Sequence, residues 1–280
     1  MTSLRFENVY FEYNSKAKIL RDINLSIDRP GLICIIGPNG VGKSTLVKCI
    51  NRLLTPTEGN VLIDDKPISE YRTRDLATVV GYVPAFSTDD FAMSVVDTVM
   101  MGRHPYRRMG STREDLHIVY EVLKELGITH LAMRNFDELS AGQHQKVSLA
   151  RGLAQSPDIL ILDEPTANLD IKHQVEVTRL MRDISHEKNI TTVMISHDLN
   201  VSCKYADEVI VMSSPGIIYK IGTPSEVMTP ELVKYVYGMN CLIVDDNGRP
   251  HVILQEPIPE EEFRALHSTD PEITRSESDD

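Results

Sequence analysis

The sequence predicts an α/β fold with a mainly parallel sheet, and three observations carry that prediction. Leu32-Ile33-Cys34-Ile35-Ile36 is a continuous apolar run that stops at a glycine-rich stretch, Gly37-Pro38-Asn39-Gly40-Val41-Gly42-Lys43-Ser44-Thr45. Ile159-Leu160-Ile161-Leu162 is a second such run, closed by Asp163-Glu164. Thr191-Thr192-Val193-Met194-Ile195 is a third, closed by Ser196-His197-Asp198. Short apolar runs bounded by polar residues read as strands buried on both faces. Polar residues gathered at the carboxyl ends of such strands mark where open α/β sheets bind ligands.

The elements follow in order. Leu4 to Asp28 alternates well enough for antiparallel strands, an N-terminal β subdomain. Gly31 to about Val83 supplies the glycine loop, a helix with Leu46, Val47 and Ile50 on its apolar face, and further strands. From Ser94 to Leu131 apolar residues recur at helical spacing: Val95, Val96, Val99 and Met100, then Leu116, Val119, Val122 and Leu126. That stripe is read as core packing of an inserted helical subdomain at about 86–138. Lys146 to Gln155 reads as a helix, and helix and strand then alternate to about Met212. Strands and short helices finish the fold by about Leu254, and no internal repeat is present. One domain is therefore expected over 1–255. The segment 256–280 holds nine acids and two bases, which is −7 of the chain's net charge of −12. Its acidic, proline- and serine-bearing composition predicts a disordered, solvated tail.

Composition excludes several classes. The rest of the chain is mildly acidic and shows no basic stripe, so nucleic acid is not expected as a partner. No apolar run is long enough to cross a bilayer and no signal peptide opens the chain, so any service at a membrane is expected to be that of a peripheral cytosolic subunit. Cys34, Cys49, Cys203 and Cys241 are scattered, and reduced buried thiols suit that pattern better than a metal site.

The chemistry sits in the polar stretches. Gly37-x4-Gly42-Lys43-Ser44 between a strand and a helix is the P-loop pattern. Its glycines let backbone N–H groups close around phosphates, and the helix N-terminus adds its positive end. Lys43 is expected to reach the β- and γ-phosphates of ATP, and Ser44 to ligate Mg²⁺. Asp163 is placed to hold Mg²⁺, and Glu164 to orient the attacking water or take its proton. Two adjacent acids also suit a solvated turn or a helix cap; the phosphate loop beside them favours the ligand reading. At the next strand end, His197 is either a donor to the γ-phosphate or water, or an ordinary solvated histidine.

With Leu139-Ser140-Ala141-Gly142-Gln143 just upstream of Asp163-Glu164, the chain resembles the nucleotide-binding subunit of ABC transporters over residues 3 to 240. The usual second-position glycine of the "LSGGQ" signature is Ala141 here. The resemblance implies a P-loop ATPase core, adenine stacking by Tyr13, a D-loop at Ala167-Asn168-Leu169-Asp170, and a switch role for His197. It implies a homodimer in which two ATPs lie between a P-loop and the opposite subunit's signature. It also implies integral-membrane permease partners, a substrate-binding protein beyond them, and a place on the cytoplasmic face of the membrane. Met101-Gly102-Arg103-His104-Pro105-Tyr106, Leu169-Asp170-Ile171-Lys172-His173-Gln174 and the ending Tyr237-Gly238 with Gly248-Arg249-Pro250-His251-Val252 are similar to the ATPases of iron-chelate, haem and cobalamin importers. The alternatives are a soluble ABC ATPase of the iron–sulfur assembly type, or a scaffold that binds ATP without hydrolysing it. One departure stands out. The family's usual Gln after the strand Val79–Val83 is Ala85, which cannot hydrogen-bond through its side chain. Ser87, Thr88, Asp89 or a water is left to fill that place.

Overall fold

The computed structural model describes residues 2–13, 18–85, 93–106, 112–167 and 169–268. The chain runs β1 (Leu4–Glu12), β2 (Lys18–Ile27), β3 (Gly31–Ile36), α1 (Lys43–Ile50), β4 (Glu58–Ile63), β5 (Lys66–Pro67), α2 (Thr73–Val79) and β6 (Val80–Val83). It continues through α3 (Val95–Met100), α4 (Arg113–Glu125), α5 (Ala141–Ala154), β7 (Ile159–Leu162), α6 (Ile171–Lys188), β8 (Thr191–Ile195), α7 (Leu199–Tyr205), β9 (Glu208–Ser213) and β10 (Ile217–Gly222). It ends with α8 (Pro224–Val227), α9 (Pro230–Tyr237), β11 (Met239–Asp246), β12 (Arg249–Pro257) and α10 (Glu260–Ser268).

Two sheets form the body. The first has the order β2-β1-β4-β5 and is antiparallel; the second has the order β10-β9-β3-β8-β7-β6. In the second, β9, β3, β8, β7 and β6 run parallel and only β10 is reversed. Strands β3, β7 and β8 are buried at every residue, as uninterrupted apolar runs demand. One face of this sheet, through Ile33, Ile35, Ile161 and Ile195, packs with Leu46 and Val47 of α1 and with Phe6 and Ile23 of the antiparallel sheet. The other face, through Cys34, Ile36, Leu162 and Met194, packs with α3, α5, α6 and α9. The helix after the glycine loop is thus clamped between two sheets.

The helical subdomain is closed at its base, where Ser94 bridges Asn135 and Phe136 N–H donates to the Met93 carbonyl. Val95, Val99, Val119 and Val122 are buried as expected, while Leu116 stands half exposed on the outer face of α4. A buried ion pair, Arg103 Nε to Asp115 Oδ1 at 3.0 Å, ties the segment before α4 to its first turn. The same guanidinium donates to the Ala154 carbonyl at the end of α5. Backbone and side-chain donation from Thr112, outweighing burial, together with Arg103, holds the Asp115 carboxyl below the usual carboxylate range.

The tail departs from expectation. β12 runs to Pro257, past 255, and α10 occupies part of the segment expected to be disordered. The composition hid an amphipathic turn. His267 stacks on Tyr235 at 4.5 Å, Phe263 lies against Gly238, and Lys234 pairs with Glu262 at 2.6 Å. Residues 269–280 lie outside the described residues. The four cysteines are buried and unpaired, and burial pushes the thiols of Cys34, Cys49 and Cys203 up to about 12. Among the described residues no helix is long and apolar enough to cross a membrane, and no group of three or more His, Cys, Asp or Glu side chains gathers to hold a metal.

Candidate functional site: strand ends around a phosphate loop

The loop Gly37–Gly42 joins the carboxyl end of β3 to α1. Gly42 is the N-cap of α1 with φ of 99°, and a Cβ there would stand 2.8 Å from the Leu20 side chain. Gly37 approaches the Met212 carbonyl of β9 too closely for any Cβ. No side chain caps α1, so its first N–H groups remain for an anion. The Lys43 ammonium donates to the carbonyls of Gly37 and Pro38, both at 2.7 Å, and is buried. Burial lowers its pKa below the ordinary lysine value, and the nearby Glu164 charge pulls it partly back.

Three further strand ends converge on this loop. From β7, Asp163 is buried; its Oδ1 accepts the Ser44 hydroxyl at 3.0 Å and its Oδ2 accepts the Tyr82 hydroxyl at 3.0 Å. Burial and Asp163 raise the Tyr82 pKa, so the phenol stays a donor. Glu164 has φ of 51°, a left-handed conformation that costs a non-glycine residue about 1–3 kcal/mol. That turn swings its carboxylate away from the Asp163 side and onto His197 of the β8 end, Nε2 to Oε1 at 2.8 Å. Ser44 and Asp163 are hard oxygen donors held together beside the phosphate loop, the kind of donor set a small divalent cation takes. The residues present therefore fit Mg²⁺.

A cavity of about 240 Å³ opens over the loop, lined by Tyr13, Ile19, Asn39, Gly40, Gly42, Lys43, Ser44, Thr45 and Glu164. Tyr13 is 56 % exposed, edge-on to Phe11 at 4.8 Å, which leaves a ring face open for a planar base. No residue of Leu139–Gln143 lines this cavity. Those residues open α5: Ser140 is its N-cap, its hydroxyl accepts from Gln143 N–H, and the Gln143 side chain accepts from Ser140 N–H at 3.0 Å. Ala141 is the first helical residue and is exposed. Asp170 caps α6 through His173 N–H and also holds the His173 ring at 2.8 Å. Asn168 lies outside the described residues. Ala85 is half-buried after β6, and Ser87, Thr88 and Asp89 fall outside the described residues.

The sequence reading missed two participants. Tyr82 lies on β6, and its signal was positional: it pairs with Ile161, two residues before Asp163, so both side chains stand on one sheet face. Gln174 donates to the carbonyls of Thr166 and Leu169 and so pins the loop that precedes α6.

Comparison with known proteins places the chain among relatives of one family. The family model described as ABC transporter matches residues 20–167. The ABC transporter ATP-binding protein MJ0089 of Methanocaldococcus jannaschii is 42 % identical over 89 % of this chain and 97 % of its own length. The ferric enterobactin transport ATP-binding protein FepC of Escherichia coli is 36 % identical over 89 % of this chain and 93 % of its own. The solved dimeric structure of MJ0796, a bacterial ABC transporter cassette, has a TM-score of 0.69 at 28 % identity over 79 % of this chain and 98 % of that one.

Proposed function

Because this chain belongs to the ABC transporter family and is one of its ATP-hydrolysing, ATP-binding subunits, we propose that it energises an importer of metal chelates of the iron–siderophore, haem or cobalamin type. It works as a homodimer bound to integral-membrane permease subunits at the cytoplasmic face of the membrane, served indirectly by a substrate-binding protein. The observation that carries the reading is the convergence of Lys43, Ser44, Asp163, Glu164 and His197 on one loop in a chain whose second phosphate-binding stretch lines no part of that cavity. The cargo class rests on the likeness to FepC along nearly the whole length of both chains.

Each step follows from the residues. Tyr13 stacks on the adenine, and the N–H groups of the loop and of α1 take the phosphates. Lys43 releases the carbonyls of Gly37 and Pro38 to neutralise phosphate charge. Ser44 and Asp163 would hold Mg²⁺, which would supply positive charge to offset that of the phosphates. Closure of two copies brings Ser140, Gly142 and the α5 N-terminus, with Leu139, Ala141 and Gln143 around them, to the partner's γ-phosphate. Asp170 and its loop line the joint between the copies. Glu164, held by His197, aims the water for in-line attack and accepts its proton. Closure moves the helical subdomain against the permease, and hydrolysis resets it.

At Ala85 hydrolysis persists while the link to the permease is altered. Ala85→Gln in the reconstituted complex should change transport-stimulated ATPase more than basal ATPase; equal rates in both assays make Ala85 a neutral variant. The test of the whole is co-purification with the permease, then ATPase assays with binding proteins loaded with candidate chelates. A loaded binding protein should raise turnover several-fold; brisk turnover by dilute single chains that no partner changes would sink the proposal.

A further inference from the structure

The geometry points to Tyr82 as a positioning residue for Asp163: its hydroxyl clamps one carboxylate oxygen so that the other stays aimed at Ser44 and at the divalent cation the two would hold. The inference rests on the proposed roles of Ser44 and Asp163. Asp163 Oδ1 accepts from Ser44 and Oδ2 from Tyr82, each at 3.0 Å, so two donors on opposite oxygens fix the carboxylate plane. The backbone is fixed as well, since Asp163 N–H donates to the Val83 carbonyl of β6. Tyr82 and Asp163 therefore belong to one two-strand unit, with register Tyr82↔Ile161 and Val83↔Leu162.

The two donors are not equivalent. When Ser44 offers an oxygen lone pair to a cation, its hydroxyl serves two partners, whereas among the described residues the Tyr82 hydroxyl is bonded to Asp163 Oδ2 alone. Its ring packs against the core cluster that includes Leu46 and Ile161, so the hydroxyl cannot follow a rotating carboxylate. Asp163 would otherwise turn about its last torsion, which is broad. Outer hydrogen bonds of this kind orient ligands, and losing one typically costs 10-fold or more in metal affinity. Ala85, two residues past the same strand, offers no side-chain donor to share the work.

Tyr82→Phe removes one oxygen and keeps the ring, so the packing of β6 survives. Binding of a fluorescent ATP analogue is measured first in EDTA and then against stepped Mg²⁺, with Mn²⁺ paramagnetic resonance of the nucleotide-bound protein as a readout independent of turnover. We expect EDTA affinity to match wild type, the thermal midpoint in EDTA to fall modestly as the buried Oδ2 loses its donor, and the Mg²⁺ concentration for half-saturation to rise about 10-fold. The Mn²⁺ spectrum should broaden, and turnover at saturating Mg²⁺ should return to within about threefold of wild type. An unchanged Mg²⁺ half-saturation, with Asp163→Asn strongly shifted in parallel, overturns the role of Tyr82 alone. If Asp163→Asn leaves the Mg²⁺ dependence untouched, the reading of Asp163 falls and the Tyr82 role falls with it. A loss of affinity that is equal with and without Mg²⁺ makes Tyr82 a packing residue and overturns the inference too.

Discussion

The N-terminus of α1 is capped by Gly42, a left-handed residue with no side chain to offer, whereas the N-terminus of α5 is capped by Ser140 and closed by the reciprocal Gln143 bond. Both ends present the partial positive charge that attracts anions. They differ in what satisfies them before an anion arrives. α1 leaves its first donors unpaired, is clamped between two sheets, and has a buried ammonium parked on loop carbonyls. Phosphate completes that helix end. α5 is already complete, half in solvent, and owes its cap to its own residues. The first end is built to bind nucleotide in a lone chain. On the proposed reading, the second stands capped alone and engages only when a phosphate is carried to it.

Removing the strongest element of the first end breaks the comparison most sharply. Lys43→Ala should lower ATP turnover by about 100-fold or more, measured as steady phosphate release, because it deletes a preorganised charge at the phosphates. The lowered pKa of Lys43 adds a pH signature. Its charge is lost, as pH rises, before an exposed lysine would lose its own. Nucleotide affinity should therefore decline at a pH below that at which an exposed lysine titrates, while Lys43→Arg, which stays charged, should flatten that decline. A flat wild-type profile would mean that bound phosphate restores the ordinary lysine value.

Ser140→Ala tests the second end. Loss of the cap should destabilise the chain by about 1 kcal/mol in chemical unfolding. Turnover should fall about 10-fold while ATP affinity of the single chain stays put, the removed donor being worth about 1.4 kcal/mol to the closed pair. If single-chain affinity falls as far as turnover, the two ends serve one cavity and the asymmetry is wrong.

The same asymmetry explains what was legible in the sequence. The α1 end was readable because its chemistry is local: Gly37, Gly42, Lys43 and Ser44 lie within one strand–loop–helix unit, and strands buried on both faces betray themselves as apolar runs. Asp163, Glu164 and His197 were readable because strand ends share one edge of the sheet. Tyr82 was not, because its partner is 81 residues away and only the β6–β7 register brings the two together. The α5 end was readable as a motif, and the Ser140-x-x-Gln143 spacing that closes its cap is itself a capping-box pattern. The helix at Glu260–Ser268 was hidden by composition. Nine acids argue for solvation, and nothing local announces that Phe263 and His267 meet Gly238 and Tyr235.

The smallest effect concerns Ala141, where this chain departs from the usual glycine. Ala141 is the first residue inside α5, in helical conformation and exposed, so its Cβ meets no strain and points into solvent. Ala141→Gly should cost at most about 1 kcal/mol, through added freedom of the unfolded chain. Turnover should change less than about twofold, since the N–H groups that attract phosphate stay where they are. Gly142 is the informative contrast, for a Cβ there would stand 3.4 Å from His173, whose ring Asp170 holds. Gly142→Ala sets a methyl in ordinary van der Waals contact with that ring, so the lone chain should tolerate it, and it should lower turnover more than Ala141→Gly changes it only through the approach of phosphate to the helix end. Were Ala141→Gly instead to raise turnover many-fold, the methyl group would be limiting how closely phosphate approaches α5, and the second end would be a tuned site rather than a self-capped helix waiting for its ligand.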